Sequence, residues 1–159
     1  MKKIIFVTLS LLTASFVSIA ANRNTDTKNI LNAISDYKDI SGVEVISVGK
    51  LGLGLVKEDK AILALLNGIN KLVVISYEDA AAAKQQELNS KLSMLLKDAE
   101  KILEFKNEEE AVNIYGTSAN GGKSIENLMI FIPEEYTLIC AIGSIKAEKI
   151  ADLIKIANE

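Results

Sequence analysis

Runs of consecutive glutamates are the densest groups of potentially reactive side chains in the sequence. One run covers residues 108–110, and the other consists of Glu134 and Glu135. Two carboxyl groups that meet in a fold can hydrolyse a glycosidic bond, one as an acid and the other as a nucleophile or base. Neither run has the spaced oxygen ligands of a calcium-binding loop. Solvated charge at strand ends is the favoured interpretation, and carboxylate chemistry is the alternative.

Nucleophilic and metal-based chemistry is limited by what the sequence lacks. It has no histidine, and Cys140 is its only cysteine. Ser-His-Asp and Cys-His machinery, histidine-bound zinc, thiolate clusters and internal disulfides are therefore excluded. Cys140 alternates with Leu138 and Ile142, which predicts a buried and inert thiol in a strand. We assign no catalytic residue, no metal ligand and no cofactor-binding residue, and we expect no cofactor.

The sequence from Gly121 to Ser124 reads Gly-Gly-Lys-Ser, like the end of a phosphate-binding loop. The complete motif needs a glycine where Thr117 stands, and it leads from a strand into a helix. Residues 125–130 instead have the pattern of another strand. The segment is therefore interpreted as a glycine-rich hairpin loop, and no nucleotide site is expected.

Glycines and leucines alternate over residues 49–55, which read Gly-Lys-Leu-Gly-Leu-Gly-Leu. A glycine pattern of this kind is weak evidence for a phosphate cradle, and no acidic ribose partner follows at the expected distance. The favoured interpretation is an irregular apolar connection. Glycine inside regular structure costs about 0.5–1 kcal/mol relative to alanine, so three glycines suggest irregular backbone or the close approach of another chain. We predict that Leu51, Leu53 and Leu55 border a partner surface.

Charge and composition argue against a nucleic-acid partner. The 159 residues include 18 basic and 21 acidic side chains, for a net charge of −3. Arg23 is the only arginine, and the sequence has no tryptophan. Nucleic-acid-binding proteins usually present a basic stripe with arginine side chains. We therefore expect no nucleic acid among the partners.

The N-terminal segment has the pattern of a secretory signal peptide. Lys2 and Lys3 precede an apolar stretch over residues 4–21. Ser18 and Ala20 are small residues at the two positions that a signal peptidase reads, which predicts cleavage after Ala20. An uncleaved membrane anchor is the competing interpretation.

Cleavage at that point would divide the chain into three parts. Residues 1–20 form the signal peptide, residues 21–27 a polar, mobile leader, and residues 28–159 a single domain. No later apolar run reaches spanning length, so no transmembrane segment is expected after cleavage. The predicted location is periplasmic or secreted.

Apolar periodicity predicts an α+β fold for this domain. Helical spacing indicates four helices, and β-branched or alternating runs indicate five strands. The helices are predicted over residues 28–37, 60–67, 78–105 and 146–157, and the strands over residues 43–48, 72–77, 111–117, 125–132 and 136–143. The order α-β-α-β-α-β-β-β-α implies a five-stranded mixed sheet that ends in an antiparallel three-stranded meander. Helices are expected on at least one face.

Four apolar segments occur in a recognisable order. They are residues 43–48 followed by Gly49-Lys50-Leu51, residues 71–75, residues 112–115, and residues 138–145 with Gly143. Over essentially the whole mature chain, this order resembles the exported bacterial family catalogued as domain of unknown function 4252. The resemblance implies a small α+β envelope protein, and it supplies no activity and no functional residues. The absence of a lipid-attachment cysteine separates this chain from lipoprotein relatives.

Export, small size and the lack of an assembled catalytic motif predict a noncatalytic binding or interaction module of the bacterial envelope rather than an enzyme. Its expected partner is an envelope protein or a small ligand. The alternative is a small carboxylate-dependent hydrolase or lipid-modifying enzyme of the periplasm. A cleft that gathers several acids with perturbed pKa values would favour the alternative, whereas scattered, solvated acids would favour the module.

Overall fold

Six strands form an antiparallel sheet in the computed structural model, which describes residues 27–53, 67–106 and 108–150. The strands are β1 (Glu44–Gly49), β2 (Ile69–Ser76), β3 (Lys101–Lys106), β4 (Ala111–Ala119), β5 (Ser124–Ile132) and β6 (Thr137–Lys146). The helices are α1 (Thr27–Tyr37), α2 (Lys50–Leu53) and α3 (Ala82–Leu96), and residues 147–150 are also helical. The α+β class predicted from the sequence is confirmed.

The strand order across the sheet is β1-β2-β6-β5-β4-β3. Every neighbouring pair is antiparallel. The C-terminal meander of β4, β5 and β6 is confirmed, whereas the prediction of a five-stranded mixed sheet was wrong in strand number and strand direction. The direction differs because β1 and β2 are immediate neighbours that run in opposite senses, so the chain between them is not a parallel crossover.

The additional strand, β3, comes from the C-terminal part of the longest predicted helix. α3 ends at Leu96, where the N–H of Lys97 bonds to the carbonyl of Met94 in a closing turn. Residues 101–106 then pair with β4 instead of continuing the helix. Their short apolar run suits a helix and a half-buried strand equally well, so pairing with β4 decides between the two.

α3 carries the chain from β2, beside one edge of the sheet, to β3 at the other edge. Its 15 residues, at a rise of about 1.5 Å each, span about 22 Å. Four strand spacings of about 4.8 Å separate β2 from β3 and amount to about 19 Å. The length of α3 therefore matches the distance that the connection must cover.

One face of the sheet is covered by α1 and α3, and we call it the α1/α3 face. Ile30 and Ile34 lie four residues apart on α1 and are buried, as an amphipathic helix requires. The remaining buried residues of this face come from α3, from the turn before α3, and from strands β2, β5 and β6. They are Val73, Ile75, Tyr77, Ala80, Leu88, Leu92, Leu96, Met129, Phe131, Leu138 and Cys140.

The other face, which we call the α2 face, has a second apolar cluster. Its buried members come from α2, four strands and the start of the last helix, and they are Leu53, Ile69, Ile114, Ile125, Leu128, Ala141, Ile145 and Ile150. A further set of half-buried side chains packs against them: Val48, Leu72, Ile102, Leu103, Phe105, Val112 and Ile130. The helices therefore pack on both faces of the sheet, which agrees with the prediction of at least one covered face.

A series of polar contacts connects α3 to the turn between β5 and β6. The Tyr77 hydroxyl donates to Asn89 Oδ1, and Asn89 Nδ2 donates to the carbonyl of Pro133 at 3.2 Å. The Tyr77 ring also meets the Tyr136 ring edge to face, with centroids 5.8 Å apart. Burial, with a smaller contribution from Tyr136, raises the pKa of Tyr77 above its ordinary value, so the hydroxyl keeps its proton at neutral pH.

A bulge between β5 and β6 changes the register of the central pair. Asn127 adopts a φ of 53° there, and Gly143 opposite it adopts a φ of 142°. The Asn127 side chain accepts the Gly143 N–H at 3.3 Å. A Cβ on Gly143 would lie 2.3 Å from the carbonyl oxygen of Gly68, so only glycine fits this approach of β6 to the start of β2.

Several sequence predictions fall outside the described residues. These are the signal peptide over residues 1–20, most of the leader, residues 60–66 of the predicted helix over residues 60–67, and the last helix beyond residue 150. Within the described ranges, no helix is both long enough and apolar enough to cross a membrane.

Candidate functional site

β1 runs directly into α2, and we call this junction the β1–α2 corner (residues 46–53). α2 turns back closely onto the strand, since a Cβ built on Gly52 would lie 2.8 Å from Val48 Cγ1. Gly49, by contrast, has open space around its Cβ position. The predicted irregular connection is thus a strand end and a short helix, and Gly52 permits their close approach.

The structure separates the three leucines that the sequence grouped together. Leu51 is 90% exposed, whereas Leu53 is 5% exposed and belongs to the apolar cluster of the α2 face. Leu55 lies outside the described residues. Leu53 therefore anchors α2 to the sheet beside Val48, and that anchor presents Leu51 to solvent.

Ile46 adds a second apolar side chain to the same corner. It lies on β1, opposite Val74 of β2, and is 48% exposed. Single exposed apolar residues are common on protein surfaces, and this junction of eight residues has two of them, Ile46 and Leu51. The sequence analysis missed Ile46, although its position two residues from Val48 in an alternating strand places both on one face.

Folding brings the two glutamate runs of the sequence together at one end of the sheet. The turn before β4 carries Glu109 and Glu110, and the turn between β5 and β6 carries Glu134 and Glu135. The N–H of Ala111 donates to Glu134 Oε2 at 3.1 Å and links the two turns. We call these four glutamates the acid patch.

Glu110 has the most perturbed environment in the acid patch. Burial raises the pKa of its carboxyl group, and so do the charge and hydrogen bond of Glu135 and the charges of Glu134 and Glu109. A carboxyl group that holds its proton above the ordinary range can act as a general acid. Within the part of the chain that the structure describes, however, no three acidic or cysteine side chains are arranged to hold a metal ion.

Cys140 lies on the α1/α3 face of β6 and is fully buried. Burial raises the pKa of its thiol to about 12, so the reactive thiolate is scarce at neutral pH. The prediction of a buried thiol is confirmed. Its surroundings are apolar, which suits a packing role.

The Gly-Gly-Lys-Ser segment forms the tight connection between β4 and β5. Asn120, Gly121 and Gly122 all have positive φ values, and Asn120 Nδ2 donates to Ser124 Oγ at 2.9 Å. Such conformations suit glycine and asparagine. The hairpin prediction is confirmed, and the segment leads into a strand rather than into the helix that a phosphate loop requires.

The fold and its two notable regions define a small α+β protein with an antiparallel sheet, an apolar corner at one sheet edge and an acid patch at the strand ends. The family model described as Domain of unknown function (DUF4252) matches residues 37–153. The chain belongs to this family, which confirms the resemblance found in the sequence. Neither a curated protein nor a solved structure matches the chain.

Proposed function

We propose that the protein is a noncatalytic binding or interaction module of the bacterial envelope. The observation that carries this proposal is the exposure of Leu51 on a short helix whose neighbour Leu53 is buried. An exposed apolar side chain on a helix that is anchored to the sheet can enter a partner's pocket and bury its apolar area there. The proposed partner is an envelope protein or a small ligand, and the bound surface is the β1–α2 corner.

Leu51→Glu tests the surface with little risk to the fold, because the side chain is in solvent. Met94→Glu is the matched control, since Met94 on α3 is also apolar and 74% exposed. Tagged proteins would be compared by co-purification from envelope extracts, with circular dichroism to verify folding. We expect Leu51→Glu to lose a partner that the wild type and Met94→Glu both retain. Retention of every partner by folded Leu51→Glu would refute the proposed surface.

Leu53→Glu is expected to give a different result. Because Leu53 lies in the α2-face cluster, a carboxylate there should destabilise the fold before it affects binding. Leu55 lies outside the described residues, and Leu55→Glu tests in the same co-purification whether it contributes to binding. Partner loss by folded Leu55→Glu would extend the surface beyond α2.

Export from the cytoplasm is part of the same proposal. It rests on the signal-peptide pattern of residues 1–20. We expect mature protein isolated from cells to begin at Ala21 and to fractionate with soluble periplasmic or secreted material. Mature protein that still begins at Met1 or Lys2 would refute this location.

The acid patch favours a second candidate function, a small carboxylate-dependent hydrolase or lipid-modifying enzyme. Glu110, with its raised pKa, would be the acid, and Glu135 would be the partner carboxylate. Purified protein would be assayed with chromogenic glycosides and esters, beside Glu110→Gln and Glu135→Gln. Turnover that either variant abolishes without loss of folding would favour the enzyme over the binding module.

A further inference from the structure

The two edges of the sheet differ in how well they are protected. β3 forms one edge, and it has charged residues at both ends and in its middle, Lys101, Glu104 and Lys106, with a register shift near its start. β1 forms the other edge, and Glu44 is its only charged residue. Charges and bulges on an edge strand hinder pairing with other chains. The β1 edge has little of this protection.

No described residue pairs with the outer side of β1. Among the described residues, only β2 pairs with β1. α2 does not run along this edge, because Leu53 packs over the α2 face beside Val48 and Leu72. An unpaired row of backbone N–H and C=O groups is a template for a further strand.

The side chains of β1 and its continuation are complementary to themselves in the antiparallel direction. Val48 belongs to the α2 face, and alternation places Ile46 and Glu44 on that face as well. Lys50 follows Val48 by two residues at the start of α2. On the strand this row therefore begins with an acid and continues with two apolar residues, and the base Lys50 follows where the chain turns into α2. Glu44 and Lys50 are both exposed, and neither forms an ion pair with another described residue.

We propose that β1 pairs with β1 of a second copy of this chain, antiparallel about a two-fold axis at Ser47. This register places Glu44 opposite Lys50 of the second copy, and Ile46 opposite Val48 of the second copy. The two-fold axis repeats each pair, so the interface has two opposite-charge pairs and two apolar pairs. The result is a continuous twelve-stranded sheet, from two sheets of six strands.

Charge complementarity selects this register over its alternatives. A parallel arrangement would place Glu44 beside Glu44 of the second copy, and like charges directly opposite each other are unfavourable. An antiparallel axis at Ile46 would place Glu44 opposite Val48 and would leave Lys50 without an acidic partner. The axis at Ser47 satisfies both charges, and the long side chain of Lys50 can reach Glu44 although its backbone already turns into α2.

A six-residue strand gives a small interface, so the dimer is expected to be weak and concentration-dependent. Sedimentation velocity of the full mature chain over about 10–500 μM would detect such an equilibrium. The inference concerns the backbone edge of β1 and does not depend on whether Leu51 binds an envelope partner. Leu51→Glu that dimerises but loses its partner would separate the two proposals.

Charge exchange tests the register. We expect Glu44→Lys and Lys50→Glu each to weaken dimerisation by about tenfold or more, because each converts two attractions into two repulsions. The double variant Glu44→Lys/Lys50→Glu should restore it. Lys106→Glu on the β3 edge is the matched control and should leave it unchanged. A wild type that stays monomeric throughout would overturn the proposal, as would a double variant that remains as weak as the single ones.

Cysteine cross-linking gives an independent test that does not depend on charge. Residue 47 lies opposite its own copy, so Ser47→Cys should form an intermolecular disulfide under mild oxidation. Gly49→Cys is the matched control on the same strand, since the two copies of residue 49 would lie about 14 Å apart along it. The native Cys140 is buried and should not interfere. Cross-linking through Ile46→Cys or Gly49→Cys in preference to Ser47→Cys would overturn the register.

Discussion

The two faces of the sheet are built from similar apolar residues but are covered to different degrees. On the α1/α3 face, a helix of 15 residues and a helix of 11 residues leave Leu88, Leu92 and Leu138 without exposed surface. On the α2 face, the described helical segments are short, and residues such as Leu72 and Val112 stay half-buried. Among the described residues, the α1/α3 face therefore has more buried apolar side chains, while two of the three large exposed apolar side chains, Ile46 and Leu51, lie at the β1–α2 corner.

This difference makes the α1/α3 face the expected source of stability and the β1–α2 corner the proposed binding surface. Burial of apolar area contributes about 25 cal/mol per Å², so fully covered side chains contribute more to folding than half-covered ones. A half-covered side chain still has area that a partner can bury. Substitutions that compare the two faces at matched positions test this division directly.

The largest expected difference comes from a carboxylate on adjacent residues of β6. Cys140 faces the α1/α3 side and is fully buried, whereas Ile139 faces the α2 side and is half-buried. Cys140→Asp should lower the free energy of unfolding by about 3–5 kcal/mol, because an unpaired polar group is buried. Ile139→Asp should cost about 1–2 kcal/mol, because its carboxylate reaches water. Urea unfolding would measure both, and equal losses would remove the distinction between the faces.

Leucine truncation tests the same contrast without introducing charge. Leu92→Ala on α3 should destabilise the protein by about 3 kcal/mol, from lost burial and the cavity left behind. Leu72→Ala on β2 should cost about half as much, because Leu72 already contacts solvent. Thermal and urea unfolding of both variants would provide the comparison. A larger loss for Leu72→Ala would mean that the α2 face, not the α1/α3 face, carries the stability.

A smaller effect is expected from the buried hydroxyl on the α1/α3 face. Tyr77→Phe removes the donor to Asn89 Oδ1 and should cost about 1–2 kcal/mol. Tyr115→Phe is the control, because Tyr115 packs only half-buried against the same cluster, and loss of its hydroxyl should cost less than about 0.5 kcal/mol. Urea midpoints that fall equally for the two variants would show that the Tyr77 contact adds nothing specific.

The smallest expected effect lies in the acid patch, at the strand ends where the two faces meet. The pKa of Glu110 is raised above its ordinary 4.5, so its ionisation opposes folding. Its favourable contribution is complete below pH 4.5 and is lost as the pH rises through the folded-state pKa. Glu110→Gln should therefore be neutral or stabilising at pH 7, by less than about 1 kcal/mol, and should flatten the dependence of stability on pH above 4.5.

Glu108→Gln is the matched control for this pH experiment, because Glu108 belongs to the same run of glutamates but is exposed. Urea midpoints would be compared at pH 4 and pH 7. A clear loss of stability in Glu110→Gln at pH 7 would show that the ionised carboxylate is instead favourably bound.

The local sequence pattern was sufficient to predict the elements that are marked by apolar periodicity or by a proline. The spacing of Ile30 and Ile34 predicted α1, and the position of Pro133 predicted the turn between β5 and β6. The alternation around Cys140 predicted its burial. These signals work because helix and strand periods, and the restricted φ of proline, act over a few residues.

The candidate surfaces were predictable only in part. Leu51 was selected from its glycine-rich surroundings, but the same reasoning gave no way to separate it from Leu53, which lies in the core. The acid patch was not predicted as one unit, because residues 108–110 and 134–135 are distant in the sequence. Pairing of β4 with β5 and of β5 with β6 brings their turns to one end of the sheet.

The sequence by itself determined the α+β class, the C-terminal meander, the burial of Cys140 and the family to which the chain belongs. Tertiary structure decided that residues 101–106 form an edge strand, that all six strands are antiparallel, and which leucine of the β1–α2 corner faces solvent. The physical reason is the sequence distance over which each kind of interaction acts. Periodicity and turn geometry are properties of neighbouring residues, whereas strand pairing and burial depend on segments that meet only after the chain has folded.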